Sequence, residues 1–411
     1  MDRSGWTWAL ACGRLAAVSR STRIQTPPRF PHNVPVLTDG TVTLRAHARA
    51  DVDAIVEQCT DPEMVRWTTV PRPYRKADAL RFLAHVKESW GTQGGNRFWA
   101  VEWDDGSGPR FAGTLDLRPS PGRVAGIGYG LHPAARGQGV MAAAVRLAAA
   151  YGFAEGLGDG PLDRIHWSAV VGNFASLRVA WACGFVLHGT IPQQGGPAYA
   201  GPSGEPVARD HWVGSLSATA PMVPHTPWLD IPVIEGDGIR LRPWREDDAE
   251  HAEPLDGPGH HMPLGAAPSD LTFEHWLLVR RERSARGEGI AWCIADATSD
   301  RPLGAVMVFA HGVPISQPGA ELGYFLFPSA RGRGVATAAG DLAIDHAFTP
   351  RAKDGLGLSR LSAITAADNV ASNSVLERLG FVRFGVEHAT DLLPDGTWEN
   401  AYHWELLRSE R

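Results

Sequence analysis

Short runs in which apolar and polar residues alternate occur along the first half of the chain, separated by longer runs with helical spacing. Residues 42–45 and 111–117 alternate as half-buried strands do, whereas Leu80, Leu83 and Val86 share one face of a predicted helix. Taken together, the runs predict the element order βααβββαβαβ. This order is typical of the α/β (α+β) class, with a mixed, mostly antiparallel sheet flanked by helices.

The same order of elements then begins again, which indicates two copies of one domain. Residues 239–242 match residues 42–45, and Tyr129 matches Tyr324, which lies 324 − 129 = 195 positions later. Because the offset stays nearly constant from segment to segment, we interpret the chain as a tandem duplication.

The repeat sets the predicted domain boundaries. Residues 1–34 are expected to be a disordered leader, because arginines interrupt their apolar residues and prolines follow. The N-terminal domain is predicted at residues 35–218 and the C-terminal domain at residues 233–411. Residues 219–232 between them are rich in proline and predict a stiff linker.

Each copy contains a glycine turn between a strand and an alanine-rich helix. The turns read Arg136-Gly-Gln-Gly139 and Arg331-Gly-Arg-Gly334. Glycines ahead of a helix leave the first N–H groups accessible, and the helix dipole favours negative charge at that end. The sequence therefore predicts two anion sites, with phosphate as the expected ligand. Neither turn is a P-loop, since no Gly-Lys-Ser/Thr follows.

These turns resemble the acetyl-CoA signature of the GNAT acetyltransferase superfamily, whose pattern is Q/R-x-x-G-x-G/A. The positions that fall on it are Arg136, Gly139 and Val140 in the first copy and Arg331, Gly334 and Val335 in the second. The Asn-x-Ala-Ser runs at residues 173–176 and 369–372, each followed by Gly-Phe, further resemble the RimJ/RimL branch. That branch acetylates protein N-termini and related primary amines.

The resemblance implies acetyl-CoA as the acyl-donor substrate. The residues implied to bind it through the turns are Arg136, Gly137, Gln138, Gly139 and Val140, and Arg331, Gly332, Arg333, Gly334 and Val335. The strands that end at Leu131 and Leu326 are implied to splay from the next strand, so that their backbone pairs with the pantetheine arm. Asn173 and Asn369 also suit helix N-caps. The resemblance implies that their side chains bind the pantetheine amide or keep the two strands apart.

The resemblance also implies an acid for the leaving thiolate. Many family members carry a tyrosine on the helix after the asparagine, but Ala180 and Leu376 stand at that position here. Ser176 and Ser372, three residues after each asparagine, are the hydroxyl groups implied to hydrogen-bond the thiolate instead.

The two copies differ at the implied base. Glu321 begins the second signature strand, where the family often uses a carboxylate to take the amine proton. Gly126 stands at the equivalent position of the first copy, and no carboxylate is expected near it. If one half only binds acyl-CoA, the N-terminal half is therefore expected to be that half.

Composition and charge exclude several other classes of protein. The net charge of −6 does not favour nucleic-acid binding, and no apolar run is long enough to span a membrane. Four separated cysteines suit reduced thiols in the cytoplasm. His260 and His261 stand together without a third ligand nearby in sequence, so no metal site is expected.

The leading hypothesis is an acyl-CoA-dependent N-acetyltransferase that moves acetyl from acetyl-CoA to a primary amine. The acceptor would be a protein or peptide N-terminus or a small-molecule amine, and a homodimer stays open. One alternative is that one half is a non-catalytic acyl-CoA-binding or regulatory domain. Another is an antibiotic-modifying acetyltransferase, although neither loop over the acceptor region is rich in the carboxylates that aminoglycosides require.

Overall fold

The computed structural model describes residues 34–92, 94–158, 160–194, 199–200, 206–254, 256–261, 272–311, 313–315 and 319–411. The chain divides into two compact units between His225 and Thr226. This division falls within the stretch 219–232 that the sequence predicts as a linker. The predicted leader lies outside the described residues except for Val34.

One mixed sheet forms the centre of the N-terminal unit. Its described strands are β1 (Leu37–Thr38), β2 (Val42–Arg45), β3 (Arg97–Trp103), β4 (Arg110–Ser120), β5 (Val124–Leu131), β6 (Arg164–Val170), β7 (Val186–Ile191) and β10 (His211–Ser217), with β8 (Tyr199–Ala200) and β9 (Pro206–Val207) paired separately. Their order across the sheet is β1-β2-β3-β4-β5-β6-β10-β7. Among these described strands, β5 and β6 run parallel and the other neighbours run antiparallel.

Helices flank this sheet. The described α-helices are α1 (Val52–Thr60), α2 (Pro62–Trp67), α3 (Lys76–Gly91), α4 (Val140–Ala154) and α5 (Phe174–Ala182), with 3-10 helices at Arg49–Asp51 and Pro133–Ala135. Helix α4 follows the first glycine turn, and α5 follows the strand β6.

The C-terminal unit repeats this architecture. Its described strands are β11 (Ile234–Glu235), β12 (Ile239–Pro243), β13 (Gly289–Asp296), β14 (Pro302–Phe309), β15 (Gly319–Leu326), β16 (Arg360–Ala366), β17 (Val382–Leu392) and β18 (Trp398–Leu407). Its described helices are α6 (Phe273–Ala285), α7 (Val335–Phe348) and α8 (Val370–Arg378), with 3-10 helices at Glu246–His251, Gly259–His261, Pro328–Ala330, Arg351–Lys353 and Arg408–Glu410. The strand order is β11-β12-β13-β14-β15-β16-β18-β17, and β15 and β16 are the parallel pair. The predicted fold class and the tandem repeat are confirmed.

Small side chains bring α4 and α7 close to their sheets. In α7, Ala339, Ala343 and Ala347 recur at a spacing of four and are fully buried, and Ala144 and Ala148 do the same in α4. Residues four apart share one helix face, so these alanines form an apolar stripe that packs on the strands. The packing holds the N-terminus of each helix next to the end of the signature strand.

An arginine–aspartate ion pair lies near the start of each sheet, and the pair in the C-terminal half is buried. The Arg242 guanidinium, 1% exposed, donates to both carboxylate oxygens of Asp248 at 2.7 and 2.9 Å and to Asp300 at 3.0 Å. Arg45 makes the corresponding pair with Asp51 at 2.8 and 2.9 Å. Arg45 on β2 and Arg242 on β12, each preceded by a leucine, therefore have a structural role.

Replacing Arg242 with alanine is expected to destabilise the protein by about 3–5 kcal/mol, because Asp248 would remain buried without its cationic partner. Chemical unfolding of the full chain measures this loss. Arg240→Ala is the matched control, since Arg240 on the same strand pairs with carboxylates at a far more exposed position. Equal losses for the two variants would contradict the argument from burial.

Candidate active site

Each sheet opens at its parallel pair, as the resemblance implies. Strands β5 and β6 pair from Val124 to Ile127, and β5 then continues to Leu131 without a described partner on that side. Strand β15 leaves β16 after Glu321 and continues to Leu326 in the same way. The exposed strand edge in each gap presents backbone groups with which an extended ligand can pair.

An open glycine turn follows each of these strand ends. Gly137, Gly139, Gly332 and Gly334 have φ angles of 75°, 74°, 70° and 77°, and a Cβ added at any of them would meet no described atom within 4 Å. Gly139 and Gly334 are the N-caps of α4 and α7. The turns therefore leave the helix N-termini accessible, which is the geometry that binds a phosphate.

The arginine of each turn is held by an aspartate. Arg136 donates to Asp61 at 2.5 Å, and Arg331 donates to Asp256 at 2.5 Å. The bond from Arg136 lowers the pKa of the Asp61 carboxyl. These pairs fix the arginine side chains beside the turns, whereas Gln138 and Arg333 are exposed.

A cavity of about 470 Å³ brings most of the predicted cofactor residues of the N-terminal half together. We name it the donor cavity. Its lining includes Leu131, Arg136, Gly137, Gly139, Val140, Asn173 and Ser176, together with Met64, Tyr129 and Gly130. It therefore runs from the glycine turn along the open strand edge to the start of α5.

The asparagines cap the helices that border the gaps. The Asn173 side chain accepts a hydrogen bond from the Ser176 N–H at 3.1 Å, and Asn369 accepts from the Ser372 N–H at 3.1 Å. Each bond gives a hydrogen-bond acceptor to one N–H group in the first turn of α5 or α8. The N-cap function is thus present in both halves, and a contact with pantetheine stays a prediction.

A tyrosine on each signature strand contacts the predicted serine, and sequence reasoning missed it. The Ser176 hydroxyl accepts from the Trp167 indole at 3.1 Å and donates to the Tyr129 hydroxyl at 3.2 Å. Tyr324 lies 2.9 Å from the Ser372 hydroxyl. Burial raises the pKa of Tyr129 above its usual range and that of Tyr324 to about 12, so both phenols stay protonated. The recurrence of Gly-Tyr in both copies was the available signal.

A second cavity of about 520 Å³ adjoins the donor cavity in the N-terminal half. We name it the acceptor cavity. The two share Met64, Tyr129 and Gly130. The rest of the acceptor lining combines aromatic, apolar and titratable groups, which include Gln58, Tyr74, Asp78, Phe82, His85, Phe98, Thr114 and Asp116. The donor cavity and the acceptor cavity thus meet at the end of β5 that has separated from β6.

The first copy has a carboxylate on this face of the sheet that comparison of the two copies along the chain did not reveal. Asp116 pairs across the sheet with Gly128, and its Oδ1 lies 2.5 Å from where a Gly128 Cβ would stand. The carboxylate belongs to the neighbouring strand β4, and the register in which β4 pairs with β5 determines where it lies. Thr114, Asp116 and Arg118 alternate along β4, so all three point to one face.

Burial controls the protonation of Asp116. The side chain is 17% exposed and accepts from Arg118 Nε at 2.9 Å. Desolvation raises the pKa of Asp116 to about 6, although Arg118 and His85 act in the opposite direction. A carboxylate with this pKa is charged at neutral pH and can still take up a proton, as a general base requires.

Gln58 adds an unsatisfied acceptor to the same cavity. Its side chain is 5% exposed, and its Oε1 atom has no hydrogen-bond partner among the described residues. Leaving a buried carbonyl unpaired costs free energy, which an N–H group of a bound molecule would recover. Gln58 therefore suits recognition of a nitrogen-bearing ligand.

Aromatic and apolar side chains fill the corresponding face of the C-terminal half. The strand registers match Asp116 with Met307, Arg118 with Phe309 and Gly130 with Phe325. These three C-terminal residues are 2%, 8% and 4% exposed, and they belong to a core cluster with Trp244 and Trp276. The described residues of this face therefore form a core where the first half has a cavity.

Glu321 lies at the far end of that apolar face. It follows the same alternation as Gly323 and Phe325, and its carboxylate is 3.3 Å from the His311 ring nitrogen. Between Glu321 and the open strand end, Phe309 and Met307 cover Gly323, at 3.1 and 3.6 Å from its ideal Cβ position. The function of Glu321 as a base stays a prediction.

The histidine pair of the C-terminal half contacts an aspartate that the sequence reasoning did not connect with it. His260 and His261 lie 3.0 and 2.6 Å from the two carboxylate oxygens of Asp368. Burial acts to raise the pKa of Asp368, but the two histidine hydrogen bonds outweigh it and lower that pKa. We interpret the group as hydrogen-bonded, because both ring nitrogens that face Asp368 point to its oxygens.

The chain belongs to the acetyltransferase (GNAT) domain family. The family model matches twice, at residues 41–186 and 239–382. These two segments contain the gaps, the glycine turns and the serine–tyrosine contacts of both halves. The duplication and the family predicted from the sequence are thereby confirmed.

The chain is also similar to individual proteins. Bacillus subtilis YjcK, described as a probable N-acetyltransferase, is 32% identical over 185 residues, which cover 41% of this chain and 93% of YjcK. A solved structure of the ribosomal L7/L12 alpha-N-protein acetyltransferase RimL with coenzyme A is 19% identical, with a TM-score of 0.37 over 44% of this chain and 98% of RimL. The microcin C7 self-immunity acetyltransferase MccE, solved with acetyl-CoA and AMP, is 18% identical, with a TM-score of 0.36 over 44% of this chain and 93% of MccE.

No described helix combines the length and the apolar character needed to cross a bilayer.

Proposed function

We propose that the N-terminal half transfers acetyl from acetyl-CoA to a primary amine. One observation carries the proposal: the donor and acceptor cavities meet at Met64, Tyr129 and Gly130, with the partly buried Asp116 carboxylate in the acceptor cavity. A thioester and an amine that enter from opposite sides would meet there, beside a base with a pKa near 6. The description of YjcK as an N-acetyltransferase adds support for an amine acceptor.

The donor cavity would hold acetyl-CoA along its length. The turn from Arg136 to Gly139 and the first N–H groups of α4 would bind the diphosphate. The backbone from Gly128 to Leu131 would pair with the pantetheine arm, and Asn173 would bind its amide. These assignments place the thioester near Ser176, next to the shared lining residues.

Side chains of the N-terminal half would then carry out the proton transfers. Asp116 takes a proton from the acceptor ammonium, and the neutral amine nitrogen attacks the carbonyl carbon of the thioester. As the C–S bond breaks, the Ser176 hydroxyl, held by Tyr129 and Trp167, hydrogen-bonds the thiolate. The second amine proton goes to the thiolate sulfur, and Asp116 returns its proton to solvent. The products are an amide and the free CoA thiol.

The acceptor cavity favours an amine that carries positive charge before reaction. Asp116 supplies a partly buried negative charge, and Gln58 Oε1 supplies a second acceptor for N–H groups. Phe82 and Phe98 add apolar walls. A protein or peptide N-terminus and a small-molecule primary amine both fit this chemistry.

A screen of acceptors tests the proposed function. The full chain is incubated with acetyl-CoA and with N-terminal peptides, polyamines or aminoglycosides, and release of free thiol is followed. Mass spectrometry of each acceptor shows where acetyl is added. Thiol release no faster than hydrolysis with every amine would overturn the proposal, whereas acetylated aminoglycoside alone would favour the antibiotic-modifying alternative.

Acetyl transfer is expected to increase with pH through about 6, because Asp116 must lose its proton to act as a base. The same raised pKa means that the folded protein binds this proton more tightly than the unfolded chain. The contribution of Asp116 to stability is therefore lost as pH rises from about 4 to about 6. The measurements are kcat/KM and the free energy of unfolding between pH 4 and 8, for wild type and Asp116→Asn. An inflection near pH 6 that persists in the variant would contradict the assignment.

A further inference from the structure

The C-terminal half keeps the features that would hold a CoA molecule. Its turn glycines Gly332 and Gly334 are open, and strand β15 separates from β16 before Leu326. Asn369 caps α8, and the Ser372 hydroxyl lies 2.9 Å from Tyr324. In each of these respects the half matches the N-terminal half, in which the equivalent residues line the donor cavity.

The same half differs where an acceptor would have to lie. On the acceptor face of β5, residues 126, 128 and 130 are all glycine, which leaves room above the strand. The equivalent positions on β15 are Glu321, Gly323 and Phe325, and Phe309 and Met307 cover the glycine. Phe325 therefore stands where the first half joins its two cavities.

The position of Phe325 is fixed by the packing of the surrounding core and not by a single neighbouring side chain. Phe325 is buried in one cluster with Trp244, Trp276, Met307 and Phe309. Trp244 and Trp276 meet edge to face, with ring centroids 5.1 Å apart. Moving Phe325 aside would expose apolar surface and leave a void in a packed cluster, both of which are unfavourable.

We infer that the C-terminal half binds CoA or acyl-CoA and does not transfer the acyl group. The inference uses the proposed function, because it assigns all transfer to the N-terminal half. CoA and acyl-CoA share the diphosphate and the pantetheine arm, which are the groups that the retained features recognise. The C-terminal half is thus a second, non-catalytic site for the nucleotide thioester or its thiol product. This reverses the assignment of the silent half expected from Gly126.

Binding stoichiometry of the full chain tests this inference. Calorimetric titrations with CoA and, separately, with acetyl-CoA are expected to give two sites per wild-type chain for at least one of these ligands. Gly334→Asp is expected to reduce this to one, because a carboxylate in the turn repels the diphosphate, and Gly139→Asp is expected to do the same. Gly396→Asp is the matched control, since Gly396 also has a positive φ of 84° and open surroundings but lies in the turn before β18. It should retain two sites.

Hydrogen exchange on the wild-type chain provides a readout that needs no variant. Saturating CoA or acetyl-CoA is expected to slow exchange of the amides from Gly332 to Ala338. A single site that Gly334→Asp leaves unchanged, or C-terminal amides that neither ligand protects, would overturn binding by this half.

Turnover tests the second part of the inference. Asp116→Asn is expected to retain two sites and to transfer acetyl far more slowly than the wild type. Residual transfer in Asp116→Asn that disappears in the double variant with Gly334→Asp would show that the C-terminal half is catalytic and overturn the inference. Failure of the proposed function is distinguishable, since it would remove transfer from the wild type and leave the stoichiometry at two.

Discussion

Asp116→Asn is expected to lower kcat/KM for acetyl transfer at pH 7.5 by about 10²- to 10⁴-fold, the usual contribution of a general base. Asparagine preserves the shape of the side chain over Gly128 but cannot take up the amine proton. The effect should diminish below pH 6, where the wild-type carboxylate is already protonated. Initial rates of thiol release across this pH range measure both quantities.

The control for this variant is Asp163→Asn, which makes the same chemical change at an exposed aspartate paired with Arg123. Its rate should equal that of the wild type. Glu321→Gln distinguishes the competing hypothesis. A large loss in Glu321→Gln together with full activity in Asp116→Asn would show that the C-terminal half carries the reaction, as its glutamate suggested from the sequence.

Gly130→Phe is expected to lower acetyl transfer by roughly 10²-fold or more, since displacing reacting groups by about 1 Å can already cost that factor. The substitution copies Phe325 into the N-terminal half. Even the first added carbon would lie 2.5 Å from Met64 Cε and 2.9 Å from Gln58 Nε2, so the aromatic ring must occupy the junction of the two cavities. The glycine turn is not changed, so CoA should still bind.

Gly126→Ala is the matched control on the same face of β5. A Cβ there meets nothing closer than the Arg118 side chain at 3.8 Å, so the alanine fits without displacement. Transfer should fall only in Gly130→Phe, and calorimetry should find two CoA sites in both variants. Full transfer by Gly130→Phe would show that the acceptor does not approach through the proposed junction.

The two proposals assign acetyl transfer to the N-terminal half and binding of the nucleotide thioester or its thiol to both halves. Both keep the turn and gap, because a nucleotide thioester needs them wherever it binds. The halves differ on the face of the sheet that borders the acceptor cavity in the first half. There the C-terminal half has Met307, Phe309 and Phe325 where the N-terminal half has an aspartate, an arginine and a glycine. The two halves thus differ on one face of the sheet while the glycine turns and the strand gaps are the same.

Local patterns in the sequence determined the fold and the donor features. Alternation and helical spacing predicted the strands and helices, the constant offset predicted the duplication, and the glycine turns predicted open helix N-termini. Each of these predictions uses only residues that are close together in the sequence. The accessible helix N-terminus at Gly139, for example, depends only on the backbone conformation of that glycine and on the helix that follows it. Such local information survives in a single sequence without knowledge of which strands pair.

Only the tertiary structure decided which face is a cavity and which is a core. The place of Asp116 over Gly128 depends on the register between β4 and β5, and a shift by one residue would turn the carboxylate to the other face. The burial of Phe325 depends on Trp244 and Trp276, which are distant in sequence and reach it only through folding. The carboxylate beside Gly128 and the cavity around it depend on such long-range pairings, so comparing Glu321 with Gly126 along the chain did not reveal Asp116.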